Sequence, residues 1–299
     1  MKISVVGSIN MDMTIVAERI PARGETVKGK KLQYIPGGKG ANQAVAMARL
    51  GAEVTMFGCV GDDENGKILL ENLKVQGVET DYIMVEQDVP TGVAIITVGN
   101  RDNTIVVAAA ANDRVDCTYV DSIKEELLKS DVVLLQHEIP METVEYVVDI
   151  CHQNHIPVIL NPAPACPLKE SVIEKVTYLT PNEHEAEIIF GQKAFWDILK
   201  KYPEKLVVTL GSKGAAVCLK TGEILEVSAA PVRVVDTTGA GDTLNGAFCV
   251  MVSEGNDLKR ALRFANIAAG ISTEKFGAQG GMPTRDEVVN SVYFKNIFD

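Results

Sequence analysis

The amino-acid sequence predicts an α/β fold in which a doubly wound, mostly parallel sheet carries helices on both faces and a small β-sheet lies beside it. Short runs that are apolar at almost every position, such as 131–136 and 206–210, are typical of parallel strands buried on both faces. Helix-like segments alternate with these runs along most of the chain, as in sheets built from βαβ units. We therefore expect the 299 residues to form one large domain, spanning 1–299.

The individual elements follow from apolar periodicity and from the residues that end each run. The segment 39–50 places Ala41, Ala44 and Ala48 on one face, which predicts a helix, and Gly77 ends the helix predicted over 64–76. The expected strands are 3–6, 54–60, 131–136, 157–160, 206–210 and 215–219, and the expected helices are 39–50, 64–76, 142–154, 243–253 and 258–274.

Two stretches, 12–34 and 92–108, contain strand-like runs joined by turn residues with no helix between them. We interpret them as a small β-sheet, formed from about 12–36 and 90–110, that acts as a lid over a substrate. Its exposed apolar strands favour a homodimer formed through the lid. The alternative is a pair of hairpins without such a role.

Composition excludes several classes of partner. The net charge is −11, from 29 basic and 40 acidic residues, and the chain has no basic run, which argues against a nucleic-acid partner. No apolar stretch approaches the length of a membrane span, so we expect no membrane partner. The six cysteines lack C-x-x-C spacing, and the chain enters a strand at once without a signal peptide. Both features predict a cytoplasmic protein with reduced thiols.

The segment 235–246 contains the most informative motif. Gly239, Ala240 and Gly241 precede a predicted helix, where small residues allow close approach of a ligand and successive N–H groups can bind an anion. The positive end of the helix dipole points to the same place. Asp242 would repel that anion unless it takes a proton from a nucleophile that attacks it, as phosphoryl transfer to an alcohol requires. The alternative is that Asp242 is an ordinary N-cap and the glycines form a tight turn.

A second glycine-rich stretch, 36–43, also opens a helix but lacks the spacing of a Walker A loop. Its glycines let the backbone approach a small polar ligand, and Asn42 lies one turn inside the helix. Asparagine offers both a donor and an acceptor, which suits a sugar hydroxyl, and Asn10 and Asp12 could complete such a pocket. Lys39 taken alone could equally be a solvated surface residue.

Polar residues follow several of the predicted strands. Glu138 follows the strand 131–136, Asn182 follows 178–181, and the turn 209–214 follows another apolar run. Ligands of open parallel sheets bind at the carboxyl ends of the strands, so these residues are expected near one site. A Rossmann dehydrogenase is excluded, because Gly7-Ser8-Ile9-Asn10 stands where G-x-G-x-x-G is required.

Together these motifs resemble the ribokinase, or PfkB-type, family of carbohydrate kinases over nearly the whole chain. The two family signatures are G-G-K-G-A-N-Q-A over 37–44 and D-T-T-G-A-G-D-T over 236–243. Further matches lie at 7–12, 59–63, 91–94, 161–165 and 180–183.

The resemblance implies ATP-dependent phosphorylation of D-ribose at its 5-hydroxyl, with Mg²⁺ and with K⁺ as a monovalent cation. It implies Asp242 as the general base and Gly239, Ala240 and Gly241 as the anion hole. The implied ribose contacts are Asn10, Asp12, Gly38, Lys39, Asn42 and Glu138, together with Asp242. The implied nucleotide contacts are Asn182, Thr209, Gly211, Ser212, Gly214, Gly241 and Asn266, and Glu185 helps to position magnesium. The implied cation site comprises Asp236, Thr238, Ser272, Lys275, Gly277 and Gly281.

Two features depart from the family pattern. The segment 191–206 is shorter than usual, and Gly281 stands where a side chain often helps to enclose the cation. Other kinases of the same family, acting on 2-deoxyribose, fructose or adenosine, remain alternatives. A non-catalytic sensor of sugar or nucleotide is a further alternative from a different functional class.

Overall fold

The computed structural model describes residues 1–100, 102–191 and 195–298. The strands are β1 (Lys2–Val6), β2 (Asn10–Ala17), β3 (Gly29–Gly37), β4 (Glu53–Phe57), β5 (Cys59–Gly61), β6 (Val78–Glu79), β7 (Met84–Glu86), β8 (Gly92–Gly99), β9 (Asp102–Ala108), β10 (Val132–Gln136), β11 (Val158–Asn161), β12 (Tyr178–Leu179), β13 (Val207–Thr209), β14 (Ala215–Cys218) and β15 (Ile224–Val227). The helices are α1 (Lys39–Arg49), α2 (Glu64–Val75), α3 (Cys117–Leu127), α4 (Met141–Gln153), α5 (Glu170–Lys175), α6 (Glu183–Phe190), α7 (Phe195–Lys201), α8 (Ala240–Ser253), α9 (Leu258–Ser272), α10 (Ala278–Gly281), α11 (Arg285–Val289) and α12 (Val292–Phe298).

The central sheet has the strand order β12-β11-β10-β1-β4-β6, and every pair in it is parallel. Val5 of β1 lies opposite Leu134 of β10 on one side and Met56 of β4 on the other. All three side chains are buried. A strand that pairs on both edges and is covered on both faces exposes no side to water, which explains why these runs are apolar throughout.

Successive residues of each central strand enter two different apolar cores. Ile3, Val5 and Leu134 pack in a core formed with α1, α8 and α9. Val6 and Leu135 point to the opposite face, into a core formed with α3, α4 and α5. Each fully buried side chain of this size contributes about 1.5–3 kcal/mol to folding, so the two layers hold the sheet and its helices in place.

A three-stranded antiparallel sheet, in the order β13-β14-β15, extends the central sheet at its β12 edge. Parallel bridges join Leu179 to Leu206 and Asn182 to Thr209. These bridges place the turn after β13 beside the carboxyl end of β12.

The second, smaller sheet has the order β3-β2-β8-β9. Its central pair, β2 and β8, is parallel, and both outer pairs are antiparallel. The register aligns Tyr34, Met13, Ile95 and Val106 in one row across the four strands. Tyr34, Ile95 and Val106 are exposed, whereas Met13 packs against the main core, so this row is apolar and open to solvent at three of its four positions.

The fold class is confirmed: a mostly parallel sheet with helices on both faces, and a separate small sheet. The predicted strand 54–60 is wrong, because the chain breaks at Gly58 and continues as β5, which pairs with β7 in another sheet. A Cβ atom at position 58 would lie 2.9 Å from the main-chain oxygen of Gly7, so the break brings two backbones into close contact.

Two helix boundaries differ from the sequence prediction by more than one residue. Helix α8 begins at Ala240, three residues before the predicted start at 243, and α9 ends at Ser272. Part of the short segment 191–206 lies outside the described residues, at 192–194, as does position 101 of the turn between β8 and β9. Among the helices that the structure describes, none is long and apolar enough to cross a membrane.

Candidate active site

The start of α8 depends on a position that only glycine can occupy without strain. Gly239 is the N-cap, with a φ of 77°, and a Cβ atom there would lie 2.8 Å from Cα of Ala278. Thr243 Oγ1 donates to the Gly239 carbonyl oxygen, and Asn245 Nδ2 donates to that of Gly241, both at 2.9 Å. These bonds fix the first turn, in which the leading N–H groups have no partner within the helix, although that of Ala240 donates to the main-chain oxygen of Thr237 at 3.2 Å. The turn therefore presents fixed donors to an anion.

Asp242 is the third residue of α8, and the alternative that it is an N-cap is wrong. Its side chain is buried and accepts hydrogen bonds from two neighbouring amides of α1. Asn42 Nδ2 donates to Oδ2 at 3.0 Å, and Gln43 Nε2 donates to Oδ1 at 2.9 Å. Each carboxylate oxygen thus has one amide donor, which fixes the orientation of the group.

Burial raises the pKa of the Asp242 carboxyl above its usual range, because desolvation disfavours the charged form. The positive charge of Lys39 and the two amide donors act in the opposite direction. A carboxylate with a raised pKa is a stronger proton acceptor than an exposed one, which is the property that a general base requires.

Lys39 is half-buried, so the reading of it as a solvated surface residue is wrong. Burial lowers the pKa of its amino group, but four carboxylates, those of Asp242, Glu138, Glu185 and Asp12, outweigh that effect and raise it. Lys39 is therefore a charged ammonium group that lies among acidic side chains and offsets part of their mutual repulsion.

On the side of α1 that faces the small sheet, Glu138 is held by two donors. Ser8 Oγ donates to its Oε2 at 2.6 Å, and the main-chain N–H of Lys39 donates to the same oxygen at 3.0 Å. Gly38, the N-cap of α1, has a φ of 87°, and a Cβ atom there would lie 2.7 Å from the main-chain nitrogen of Asn10. The glycine therefore brings β2 and the start of α1 into backbone contact.

Asn10 and Asp12 both belong to β2, at the end of the small sheet nearest the site. Asn10 Oδ1 accepts a 2.7 Å hydrogen bond from Asn112 Nδ2, which fixes the amide orientation of a buried side chain. Burial, together with the charges of Glu138 and Asp242, raises the pKa of Asp12 to about 7.

The raised pKa of Asp12 predicts a pH-dependent stability for the sugar-free protein. The folded value of about 7 lies above the ordinary value of 3.8, so between these values the folded state binds more protons than the unfolded state. Stability therefore falls as the pH rises through this window. Asp12→Asn removes the effect. In thermal unfolding, the gain in melting temperature of the variant over the wild type should therefore be larger at pH 8 than at pH 5. The exposed Asp81→Asn is the reference variant, and a gain that is equal at both pH values would contradict the assignment.

A polar cavity of 160 Å³ lies directly in front of the α8 turn. Asn182, the N-cap of α6, and Glu185 form a reciprocal capping box on one wall, with bonds of 2.8 Å in each direction. Burial raises the pKa of the Glu185 carboxyl. The remaining lining residues are Lys39, Asn161, Ala163, Thr180, Thr209, Gly239, Gly241, Asp242 and Asn245. The cavity thus combines helix N–H donors, a lysine and the buried Asp242.

A second, mainly apolar cleft of 480 Å³ adjoins this cavity, and Thr209 and Gly241 line both. The predicted nucleotide contacts Gly211, Ser212, Gly214 and Asn266 all line the cleft, with Ala229, Pro231, Val232 and Leu244 among the apolar walls. Asn266 donates to two main-chain oxygens, those of Leu262 and Val227. The structure therefore places the predicted nucleotide residues around one continuous groove.

The residues predicted to hold a monovalent cation form a corner behind the α8 turn. Asp236 Oδ1 accepts from Thr238 N and Oγ1, and Oδ2 accepts from Gly277 N at 2.9 Å. Burial raises the pKa of Asp236, but these hydrogen bonds outweigh it and lower the pKa. A Cβ atom at Gly281 would lie 2.1 Å from the main-chain oxygen of Ser272, so the backbones of these two positions are in contact. The amino group of Lys275 pairs with Glu287 at 3.2 Å.

Sequence reasoning missed several side chains that hold the site together. Gln43 bonds both Asp242 and Asn161, Asn112 holds Asn10, and Gln279 donates to Asn42 Oδ1 at 3.0 Å. Gln43 stands next to Asn42 in the motif, so its position beside Asp242 could have been inferred once α1 was placed against α8. Nothing in the local sequence around Asn112 or Gln279 indicates a partner so distant along the chain.

Comparison with known proteins gives a consistent result. The family model described as pfkB family carbohydrate kinase matches residues 1–285. A ribokinase of Bacillus subtilis strain 168 is 51% identical over 286 residues, which cover 96% of this chain and 97% of that protein. A deoxyribokinase of Salmonella typhi is 34% identical over 298 residues, covering 96% and 97% respectively. The Arabidopsis thaliana ribokinase complexed with ribose and ATP matches with a TM-score of 0.87 and 33% identity, covering 96% of this chain and 97% of that one.

Proposed function

The chain belongs to the pfkB family of carbohydrate kinases, and on that basis we propose that it transfers the terminal phosphoryl group of ATP to the 5-hydroxyl of D-ribose. The products are D-ribose 5-phosphate and ADP. One observation carries the proposal: Asp242 is buried at the positive end of α8, with each of its oxygens held by an amide, beside a cavity that Lys39, Gly239 and Gly241 also line. The higher identity to a ribokinase than to a deoxyribokinase supports ribose as the substrate.

In this proposal, Asp242 takes the proton of the sugar hydroxyl while the oxygen attacks the terminal phosphorus. The N–H groups of Gly239 and Gly241 and the ammonium of Lys39 stabilise the charge that develops on the transferred group. The Ala240 N–H donates to the Thr237 oxygen at 3.2 Å and would have to release it to join them. Donors that are already fixed in place stabilise a transition state without a reorganisation cost. The capping bonds to Gly239 and Gly241 supply that rigidity.

Hydroxyl groups of the sugar are held by Asn10, Asp12, Asn42 and Glu138, with the backbone at Gly38 and Lys39 closing one side. Asn10, Asn42 and Glu138 already have internal partners, Asn112, Asp242 and Ser8 respectively, so their orientations exist before the sugar binds. Fixed donors and acceptors of this kind discriminate strongly against analogues that lack a hydroxyl.

The nucleotide occupies the groove formed by the two adjoining cavities. The apolar cleft suits the adenine and ribose of ATP, near Asn266 and the 211–214 turn, and the polar cavity receives the phosphates near Asn182. Thr209 and Gly241, which line both cavities, mark the passage between the two parts.

The residues present suit a magnesium ion carried mainly by phosphate and water. No cluster of three or more His, Cys, Asp or Glu side chains occurs in the described ranges, and Mg²⁺ commonly binds through one or two carboxylates plus phosphates. Glu185 lines the phosphate cavity and would orient the ion's water shell. When bound, the ion neutralises charge on the β- and γ-phosphates.

A monovalent cation, K⁺, suits the corner at Asp236. A carboxylate that is ionised and already oriented by Thr238 and Gly277, next to closely packed backbone at Ser272 and Gly281, offers the oxygen ligands that such ions prefer. Lys275 directs its side chain to Glu287, so only its main-chain oxygen could contribute. These residues would hold the loop before α10 beside the anion hole.

The test is a panel of acceptors in an assay for ADP release. D-Ribose should give the highest kcat/KM among D-ribose, 2-deoxy-D-ribose, D-fructose and adenosine, and the product should carry phosphate on the 5-oxygen. A clear preference for adenosine or for 2-deoxyribose would assign the chain to another kinase of the family. Ribose binding without any ADP release would indicate a sensor.

We further propose that the small sheet acts as the lid of this site and forms a homodimer through its apolar face. Asp12 and Met13 are adjacent on β2, so their side chains point to opposite faces of the sheet. Asp12 therefore lies on the face opposite the row of Tyr34, Met13, Ile95 and Val106. Sedimentation velocity should show a dimer, and a monomer at high concentration would contradict this. Six free cysteines suit a reducing compartment, and we place the enzyme in the cytoplasm.

A further inference from the structure

We infer that Gln279 is a positioning residue for the general base, acting through the side chain of Asn42. The inference rests on the proposed function, in which Asp242 is that base. Gln279 Nε2 donates to Asn42 Oδ1 at 3.0 Å, and Asn42 Nδ2 donates to Asp242 Oδ2 at 3.0 Å. Asn72 Nδ2 donates in turn to Gln279 Oε1 at 2.8 Å. Three amides and one carboxylate therefore form a single chain of hydrogen bonds from α2 to the active site.

The chain of hydrogen bonds has a fixed donor-to-acceptor direction, because its last member is the Asp242 carboxylate. An ionised carboxylate only accepts hydrogen bonds, so Asn42 must turn its NH₂ group toward Asp242 and its oxygen away. That oxygen needs a donor, and the NH₂ group of Gln279 provides it. The Gln279 oxygen then faces Asn72. The orientation of each amide is thus determined by its neighbour.

Burial makes this order energetically important. Asn42 and Gln279 are each only 6% exposed, so water cannot easily replace a lost partner. A buried polar group without a partner costs far more than a solvated one. An amide that turned around would place two oxygens against each other, and the mismatch would pass along the chain to Asp242.

Gln279 is also anchored independently of its side chain. It belongs to α10, and its main-chain oxygen accepts a 2.6 Å hydrogen bond from Arg49 Nη1, which also donates to the Met282 oxygen at 2.7 Å. Arg49 is the last residue of α1, the helix that carries Asn42. The C-terminal loop and the sugar-binding helix are therefore locked together, and Gln279 sets the geometry of the base from outside the reacting groups.

Two substitutions of similar size separate this role from simple packing. Gln279→Met keeps the volume and removes both hydrogen bonds, of which one, to Asn42, reaches the active site, so it should lower kcat by about tenfold or less, the usual effect of one lost neutral hydrogen bond. Gln279→Glu keeps the shape but presents oxygen to Asn42 Oδ1. Asn42 must then rotate or lose its partner, so kcat should fall by about 100-fold or more, within the range for impaired general-base catalysis. A packing role predicts the reverse order, because glutamate matches glutamine in shape.

The pH profile provides the readout that packing would not change. A protonated carboxyl can donate to Asn42, as glutamine does, so the kcat of Gln279→Glu relative to the wild type at the same pH should rise as the pH falls. The charged groups that face this position are the Arg49 guanidinium and, through Asn42, the Asp242 carboxylate. Both groups are also present in the wild type, so their titration cancels when the kcat of the variant is divided by that of the wild type at each pH. A methionine variant should show no such recovery.

The outcomes are distinct. The inference would be overturned if Gln279→Glu were at least as active as Gln279→Met. It would also be overturned if the loss of kcat in Gln279→Glu, relative to the wild type, did not change with pH. Wild-type protein that forms no ADP with D-ribose would instead refute the proposed function. Should Gln279→Glu fail to fold, as judged by thermal unfolding, Asn72→Asp and Asn72→Leu decide the question. Asn72→Asp should then be less active than Asn72→Leu, because a carboxylate at position 72 cannot donate to the Gln279 oxygen and forces that amide to turn. Equal or greater activity of Asn72→Asp would contradict the inference.

Discussion

Asp242→Asn is expected to lower kcat for D-ribose by about 10²–10⁴-fold, the usual contribution of a general base. The substitution preserves size but removes the proton acceptor. It also places an amide opposite two amide donors, Asn42 Nδ2 and Gln43 Nε2, and only one of them can then find an oxygen. Steady-state ADP release measures the loss, and calorimetric titration with ATP should show that nucleotide affinity is retained.

The matched control for this variant is Asp113→Asn, an exposed aspartate that is remote from the base in the sequence. It should retain wild-type turnover. Near wild-type turnover of Asp242→Asn would show that another group accepts the proton. Loss of both turnover and ATP binding would indicate instead that the α8 turn had collapsed.

The second large effect is expected at Lys39. Lys39→Met should lower kcat by about 10²–10³-fold, comparable to the loss of one preorganised donor to a developing oxyanion, and should raise the KM for ATP. The lysine is the cation whose pKa is raised by four surrounding carboxylates, those of Asp242, Glu138, Glu185 and Asp12. Without it, their combined negative charge would face the incoming phosphates.

Lys200→Met, at an exposed position of α7, is the control and should leave both constants unchanged. An unchanged KM for ATP in Lys39→Met would indicate that the ammonium group contacts only the sugar. The KM for D-ribose, measured in the same experiments, distinguishes these two roles.

The layered fold was predictable because its signals are local. The apolar runs that became β1, β10 and β11 are buried on both faces, and a strand with that environment must be apolar throughout. The position of Asp242 was predictable for a similar reason, since a glycine-rich turn before a helix defines an anion site within a few residues. The break at Gly58 was not predictable, because it depends on contact with the backbone of Gly7 in another strand.

The same distinction applies within the site. Lys39 taken alone resembled a surface lysine, because the sequence around it cannot indicate that Asp12, Glu138, Glu185 and Asp242 surround it from other elements. Gln279 lies 237 positions from Asn42, and only the packing of the C-terminal loop on α1 brings their amides together. Motifs therefore located the proposed reacting groups, whereas the groups that orient them required the tertiary structure.

The most direct test of the account is one distance. In a crystal structure with D-ribose and a non-hydrolysable ATP analogue, an Asp242 carboxylate oxygen should lie within hydrogen-bonding reach of the 5-hydroxyl oxygen, about 2.6–3.2 Å. The terminal phosphate should meet that hydroxyl from the side of Gly239–Gly241. A carboxylate directed away from the hydroxyl, or a different sugar hydroxyl in that position, would contradict the central claim.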